Sequence, residues 1–285
     1  MQVGYYPGCS LESSAKEFDL SLRAIFREME ISLQEIPDWN CCGASPAHSL
    51  SEELGMALPY RNLVKAEEAG LKEVISPCPA CYSRMKNTHE KLALDRPLAD
   101  RLRALVGKHY RGSLESKHIL DFLKEDIGLK RLKSSVKNSL KGLRVASYYG
   151  CLTHLPGVRI DDVENPVMMD EVVEALGGKP LDWSHKTECC GASLSLTRTE
   201  IALRLVRSIL EAAEEKGAEC IAVVCPLCQS NLDVRQGIVY KKKLPILYIT
   251  QLIGLAQGIG YSKLGLDGLI VSPRDLLQKR GITEK

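Results

Sequence analysis

Two sets of five cysteines, arranged in the same order in each half of the chain, constrain this sequence more than any other feature. Each set consists of a lone cysteine, an adjacent pair followed by glycine, and a Cys-Pro-x-Cys motif. The spacers are 31 and 35 residues in the first set and 37 and 34 residues in the second. Since ten of the eleven cysteines follow this repeated order, the two halves are one duplicated module. The first set is Cys9, Cys41, Cys42, Cys78 and Cys81, and the second set is Cys151, Cys189, Cys190, Cys225 and Cys228.

The sequence around the cysteines repeats as well. The segment CCGAS occurs at residues 41–45 and again at 189–193, and an Asp-Trp dipeptide precedes each copy. Two adjacent tyrosines stand shortly before each lone cysteine. The repeat therefore extends beyond the thiols to their immediate surroundings, which indicates that both sets occupy the same local structure.

The rest of the composition describes an ordinary globular protein. The chain has 285 residues, 45% of them hydrophobic and 26% charged, so it can bury a core. The net charge is only +2, which argues against a nucleic-acid groove or a polybasic membrane anchor as its main role. No apolar run approaches the roughly 18–20 residues of a bilayer span, and the N-terminal residues lack the pattern of a signal peptide. We therefore expect a soluble cytoplasmic protein, in which clustered cysteines hold metal or carry out redox chemistry.

The order of predicted elements is the same in both halves and indicates an α/β fold. Each half reads as strand, helix, Cys-Cys-Gly, helix, strand, Cys-Pro-x-Cys and helix. Each cysteine group falls where a strand ends or a helix starts, which is the edge where α/β sheets bind ligands. The predicted strands are 2–6, 73–76, 143–149 and 220–224, and the predicted helices are 13–29, 49–69, 167–176, 193–216 and 247–259.

The fold class is therefore predicted as two duplicated Rossmann-like modules in tandem. We place the first module at residues 1–140 and the second at residues 141–285. Residues 94–140, rich in lysine and arginine, are interpreted as a helical extension and linker between the two.

The number of thiols in each half favours an iron–sulfur cluster over a single metal ion. Structural zinc takes four ligands in a tetrahedron, and each half supplies five cysteines, two of them adjacent in sequence. Adjacent cysteines reach neighbouring irons of one cluster more easily than one tetrahedral ion. The spacing of ordinary ferredoxin cysteines is absent. Zinc in one or both halves, disulfides and free thiols remain alternatives at this point.

The repeated pattern resembles the CCG-domain family, and over residues 1–255 the chain is similar to the family of heterodisulfide reductase B subunits. The resemblance implies that each module holds a noncubane [4Fe-4S] cluster with all five of its cysteines. It also implies that the two clusters face each other across a cleft and reduce a small-molecule disulfide, of the coenzyme M–coenzyme B type or a related one, by two one-electron steps. Electrons would come from two other subunits of the same complex: the C subunit, which carries iron–sulfur clusters, and the A subunit, which carries flavin.

Two other functional classes stay open beside this one. The chain could be an electron-transfer subunit of the kind found in lactate- or glycolate-oxidase complexes, whose CCG subunits it also resembles. It could also be a zinc-stabilised scaffold that positions redox partners.

Several further residues are candidates for a role near the cysteines. The resembled family commonly has histidine directly after the cysteine that opens the second half, whereas here His154 comes three residues after Cys151. His154 is either a proton donor to a leaving thiolate or an ordinary, partly buried histidine. Cys220, outside both sets, is expected to be a buried structural thiol. Trp39 and Trp183 are expected to pack in the core or shield the clusters. Four basic residues flank the cysteine motifs and either bind an anionic substrate group or form a solvated face: Arg84, Lys86, Lys186 and Arg198.

Overall fold

The computed structural model describes residues 1–44 and 47–283 and contains two parallel β-sheets of four strands each. The first sheet consists of Gln2–Tyr5 (β1), Ser32–Glu35 (β2), Glu73–Ser76 (β3) and Glu115–His118 (β4), in the order β2-β1-β3-β4. The second consists of Arg144–Tyr148 (β5), Lys179–Pro180 (β6), Cys220–Val223 (β7) and Ile246–Tyr248 (β8), in the equivalent order β6-β5-β7-β8. Two parallel sheets with the same strand order confirm the predicted α/β fold of duplicated modules.

Helices connect the strands and cover the sheets. Those of the first half are Gly8–Glu12 (α1), Lys16–Glu28 (α2), Ala47–Leu50 (α3), Glu52–Glu68 (α4), Pro79–Leu94 (α5), Arg96–Val106 (α6), Ile119–Asp121 (α7) and Leu129–Ser134 (α8), with a π-helix at Phe122–Ile127. Those of the second half are Met168–Ala175 (α9), Thr199–Glu215 (α10), Pro226–Val239 (α11), Ile249–Ala256 (α12) and Arg274–Lys279 (α13). Short 3₁₀ turns lie at Leu152–His154, Ala192–Leu194, Tyr261–Leu264 and Leu266–Gly268.

The two central strands of each sheet are the ones that the sequence predicts. The edge strands β2, β4, β6 and β8 are not among the predicted strands. Strand β7 is buried along its whole length, so its sequence is a short apolar run. By contrast, β2 and β4 have the polar sequences SLQE and ESKH, which carry little strand signal. Because β4 belongs to the first sheet, the stretch 94–140 contributes a strand to that sheet and is not only a linker. Likewise, the predicted helix at 247–259 begins as strand β8.

The predicted helix at 49–69 is observed as two helices, α3 and α4. The side chain of Ser51 accepts a hydrogen bond from the Leu54 N–H at 3.3 Å and so caps the start of α4. Ser45, at the end of the first CCGAS segment, lies outside the described residues. So do the last two residues of the range 141–285.

One of the two hydrophobic clusters spans both halves, and the other lies within the first half. Helix α2 of the first half packs on α12 of the second. The ring of Phe18 stacks on that of Tyr248 with 4.3 Å between centroids, and the buried hydroxyls of Ser21 and Thr250 lie 2.7 Å apart. A continuous set of buried side chains therefore runs from β1 to the C-terminal residues. The proposed boundary near residue 140 stays a prediction.

Candidate metal centres

The fold brings each set of cysteines to the carboxyl end of its own sheet. Cys9 lies in α1, directly after β1, and Cys151 lies just after β5. The Cys-Pro-x-Cys motif follows the neighbouring central strand in each half, and its proline is the first residue of α5 or of α11. The Cys-Cys-Gly segment lies in the loop that follows the edge strand β2 or β6. This placement agrees with the predicted ligand edge of an α/β sheet.

Within each half, the same two cysteines are in contact. The second cysteine of the adjacent pair meets the last cysteine of Cys-Pro-x-Cys: the sulfurs of Cys42 and Cys81 lie 3.3 Å apart, and those of Cys190 and Cys228 lie 3.5 Å apart. These four thiols are buried, whereas Cys9, Cys151 and Cys189 are exposed. Each set therefore has a buried side and a side open to solvent.

A further pair of sulfurs lies on the open side of the first set, where those of Cys9 and Cys41 are 3.8 Å apart. Cys78 is buried, and Cys41 and Cys225 are partly buried. Among residues 1–44 and 47–283, no three His, Cys, Asp or Glu side chains are grouped as ligands of a metal ion.

Hydrogen bonding gives the buried member of each adjacent pair thiolate character. Bonds with Cys41 and then Cys81 lower the pKa of Cys42 to about 3. A bond with Cys228 lowers the pKa of Cys190 to about 7, against the effect of burial. Because the thiolate is the form that binds metal, both halves present at least one ready ligand at the same position.

Glycines leave the space that the sulfurs occupy. Gly8 and Gly150 precede the lone cysteines and have φ angles of 70° and 59°. A Cβ atom on Gly8 would lie 2.9 Å from the sulfur of Cys81, and one on Gly150 would lie 3.0 Å from that of Cys228. The donor set of each half, five thiols, suits a metal group with sulfur ligands. Glycine is required there both by the backbone conformation and by the sulfur.

We expect Gly8→Ala to lose the metal of the first set, because the new methyl group would push the Cys81 sulfur away. Gly107→Ala is the matched control: Gly107 has a φ of 71°, and a Cβ atom there would meet nothing within 4 Å. Both variants should lose about 1–2 kcal/mol of stability to the left-handed backbone conformation. Metal analysis should find full occupancy in Gly107→Ala and about half in Gly8→Ala. Equal occupancy in the two variants would contradict the requirement for space beside Cys81.

Two tyrosines that the sequence pattern did not mark as functional hold the adjacent cysteine pairs in place. The Tyr6 hydroxyl donates a hydrogen bond to the Asn40 carbonyl at 2.8 Å, and the Tyr148 hydroxyl donates one to the Glu188 carbonyl at 2.6 Å. Asn40 and Glu188 directly precede the two pairs. The sequence does contain a signal for these tyrosines, because each lies three residues before the lone cysteine of its half.

Lys186, a candidate anion-binding or solvated residue, has a structural role instead. Its side chain is buried, and its Nζ contacts Asp170 Oδ2 at 2.7 Å and Asn165 Oδ1 at 3.1 Å. Its backbone carbonyl accepts hydrogen bonds from Tyr149 and Gly150, just before Cys151. Lys186 therefore connects the loop before the Cys-Cys-Gly segment to the end of β5.

The other three basic candidates occupy different environments. Arg84 is partly buried in α5, and its charge contributes to lowering the pKa of Cys42. Lys86 lines a polar cavity of about 240 Å³ together with Tyr82 and Arg159. Arg198 is exposed at the start of α10. Of the four, Arg84 is the one that the structure places beside the thiols.

His154 is exposed at the end of the 3₁₀ turn after Cys151, so it is not a partly buried histidine. Its role as a proton donor stays a prediction.

Cys220 is fully buried in β7, and burial raises its pKa, as expected of a structural thiol. Trp183 is buried, and its Nε1 donates to the Ser147 carbonyl at 2.9 Å. Trp39 packs edge-on against Tyr6 with 5.4 Å between ring centroids. Each tryptophan packs with a hydrophobic cluster, Trp183 as a member of one and Trp39 against the edge of the other, in agreement with the prediction of a core role.

Comparison with known protein families finds a match to the two segments of the chain that carry the cysteines. The Cysteine-rich domain described as CCG matches residues 3–86 and again residues 145–233. The chain belongs to the CCG cysteine-rich domain family. The two matched segments contain the two complete cysteine sets, so the predicted resemblance is confirmed.

Relatives in this family match almost the whole chain. The chain is 32% identical to the 8-methylmenaquinol:fumarate reductase membrane anchor subunit of Wolinella succinogenes, over 96% of this chain and 99% of the relative. It is 30% identical to a protein of Archaeoglobus profundus named as like the B subunit of heterodisulfide reductase, over 100% and 99%. It is also 28% identical to the B subunit of the ferredoxin/F420H2-dependent CoB-CoM heterodisulfide reductase of Methanosarcina acetivorans, over 98% and 96%. The CCG protein is therefore similar over nearly its full length to proteins named for the B subunit of heterodisulfide reductase and to a subunit of a fumarate reductase.

A solved structure shares the fold. A hypothetical protein from Helicobacter pylori aligns with a TM-score of 0.76 at 13% identity, over 94% of this chain and 51% of that one. The CCG chain thus spans about half the length of that protein, and the likeness concerns the fold alone. Within the described part of the CCG chain, no helix has the length and apolar character needed to cross a membrane.

Proposed function

We propose that this chain is the disulfide-reducing subunit of a heterodisulfide reductase-like complex. Its substrate is a small-molecule disulfide, of the coenzyme M–coenzyme B type or a related one. The observation that carries the proposal is the duplicated set of five thiols, with the same buried sulfur contact in each half. Relatives that match nearly the full length and are named for the B subunit of heterodisulfide reductase support it.

Iron–sulfur clusters are the cofactors that membership of this family implies. In the proposal there are two, each a noncubane [4Fe-4S] cluster held by the five cysteines of one set. Five thiols exceed the four that a tetrahedral zinc site uses, and iron–sulfur clusters are held by thiolates. The buried thiolates Cys42 and Cys190 would be ligands at equivalent places in the two halves.

The chemistry of a disulfide explains why two sets are needed. Reduction of an S–S bond consumes two electrons and two protons and releases two thiols, and a bound iron–sulfur cluster supplies electrons one at a time. Two sets that face one bond can therefore deliver one electron each. Helix α1, which carries Cys9, contacts α11, which begins with the second Cys-Pro-x-Cys motif. This contact between the halves supports a shared site.

The chain's own residues would then position the substrate between the open sides of the two sets. The exposed thiols Cys9, Cys151 and Cys189 mark those sides. His154, exposed and three residues after Cys151, is our candidate for the group that gives a proton to a leaving thiolate. The buried sides, held by the Tyr6 and Tyr148 hydroxyls, would keep each set fixed during turnover.

Metal content tests this proposal directly. Protein purified without oxygen should contain about eight irons and eight sulfides per chain, because two four-iron clusters require them. Iron and acid-labile sulfide assays, with zinc measured on the same sample, provide the check. About two zinc ions per chain and no iron would rule the proposal out in favour of a zinc-stabilised scaffold.

An electron-transfer role is the second candidate function. The relative with 32% identity is named as a subunit of a quinol:fumarate reductase, whose name includes no disulfide substrate. In such a role, as in the lactate- or glycolate-oxidase type of complex, the two clusters would pass electrons between partners without binding a disulfide. Addition of a disulfide to the loaded protein separates the two candidates.

A further inference from the structure

A buried hydroxyl without a partner lies where the two halves meet. The side chain of Tyr248 is completely buried, and its hydroxyl makes no hydrogen bond to any described residue. A buried polar group in this state costs free energy, so a native protein retains one where it has a use.

The position of Tyr248 is fixed by its neighbours. It is the last residue of β8 and pairs with Val223 of β7, two residues before Cys225. Its ring stacks on Phe18 of the first half at an interplanar angle of 11°. Its backbone N–H donates to Gln251 Oε1 at 2.9 Å. The ring therefore has little freedom to turn its hydroxyl towards another protein group.

The equivalent residue of the first half is satisfied within the protein. His118 ends β4 and pairs with Ser76, which is likewise two residues before its Cys-Pro-x-Cys motif. Its Nε2 lies 2.9 Å from the Pro77 carbonyl, and its Nδ1 accepts from the Leu120 N–H at 3.3 Å. Tyr248 occupies the corresponding place in the second half, and its hydroxyl donor has no acceptor among the described residues. The two halves therefore differ in hydrogen bonding at this position.

The charges around Tyr248 come mainly from thiols of both sets. Burial raises the pKa of its hydroxyl most, and the nearby side chains of Cys225, Glu17, Cys78 and Cys228 raise it further. All these effects favour the protonated hydroxyl, which is the hydrogen-bond donor. The acceptor that the hydroxyl lacks among the described residues is therefore best supplied by a sulfur atom of a group bound by these thiols.

We propose that Tyr248 is a positioning residue whose hydroxyl donates a hydrogen bond to a sulfur of the cluster held by the second cysteine set, on its Cys225 side. The inference rests on the part of the proposed function in which that set binds an iron–sulfur cluster. It assigns the two clusters different surroundings, because His118 offers no such donor to the first.

Tyr248→Phe tests the hydrogen bond, since it removes only the oxygen atom. Hydrogen bonds to cluster sulfurs favour the reduced, more negative state, so their loss lowers the reduction potential. We expect full iron content, a more negative potential for one cluster in an EPR-monitored redox titration, and an unchanged potential for the other. The metal-free variant should be at least as stable to denaturant as the metal-free parent, because no partner is lost.

Tyr60→Phe is the matched control. The Tyr60 hydroxyl donates to the Lys108 carbonyl at 2.8 Å and accepts from the Tyr110 N–H at 3.1 Å, so it already has partners within the protein. Its loss should reduce stability and leave both potentials unchanged.

If Tyr248→Phe loses iron, 3-fluorotyrosine at position 248 decides the matter, because the more acidic hydroxyl should shift one potential in the positive direction. Unchanged potentials in these position-248 variants with full iron would overturn the hydrogen bond and leave the proposed function intact. A parent protein without iron would overturn both.

Discussion

Cys81→Ser and Cys228→Ser should each abolish disulfide reduction, although each removes a ligand from only one of the two sets. If each cluster supplies one of the two electrons, the loss of either leaves the S–S bond half-reduced. A serine oxygen is a harder ligand than a thiolate and suits iron–sulfur binding poorly. We expect turnover to fall by at least about two decades in each variant, or about 2.7 kcal/mol in the barrier.

Four observations control this experiment. Iron content should fall to roughly half, and the surviving cluster should remain visible spectroscopically. Cys220→Ser is the matched control, because Cys220 is a buried cysteine outside both sets; it should keep both clusters and the turnover of the parent. Circular dichroism should check folding, since the halves share a core through Phe18 and Tyr248. Retention of about half the activity in either ligand variant would mean that the modules work independently.

The isolated chain should be inert with NADH and other physiological donors, even when it is fully loaded with iron. Its clusters have to be recharged after each turnover, and in the proposal the iron–sulfur and flavin subunits of the complex do this. Addition of the iron–sulfur partner should restore activity, and an artificial one-electron dye should replace the partner. In each case, the activity is measured as the rate at which the electron donor is oxidised when the disulfide is present, followed by the donor's absorbance.

Full activity of the isolated chain with NADH would contradict this dependence on partners. Failure of both the partner and the dye to support activity, in protein with full iron content, would count against disulfide reduction itself.

The strands that the sequence predicted are those whose own residues are apolar and buried. Strand β7, with the sequence CIAV, is a buried apolar run, and β3 buries the apolar side chains of Val74 and Ile75, so local composition marks both. Strand β4, with the sequence ESKH, is paired on one side only, and its polar residues give no periodic signal. Its assignment depends on hydrogen bonds to β3, which local sequence does not encode.

The cysteines of the candidate site could be predicted because duplication repeats them, whereas their supporting residues depend on tertiary packing. Lys186 looked like a surface cation until the fold placed Asp170 beside it. Tyr248 carried no motif, and the significance of its hydroxyl depends on the stacking of Phe18 from the other half. The five-ligand assignment of each set remains a prediction that metal analysis of the cysteine variants tests.

Whether both cysteine sets act on one disulfide can be decided by EPR of the oxidised, iron-loaded chain before and after a disulfide and one reducing equivalent are added. We expect a new or altered paramagnetic signal that depends on the disulfide. Cys81→Ser and Cys228→Ser should each fail to produce it. A spectrum that is the same with and without the disulfide, in protein containing about eight irons, would contradict joint action on one bond and make electron transfer between partners the better description.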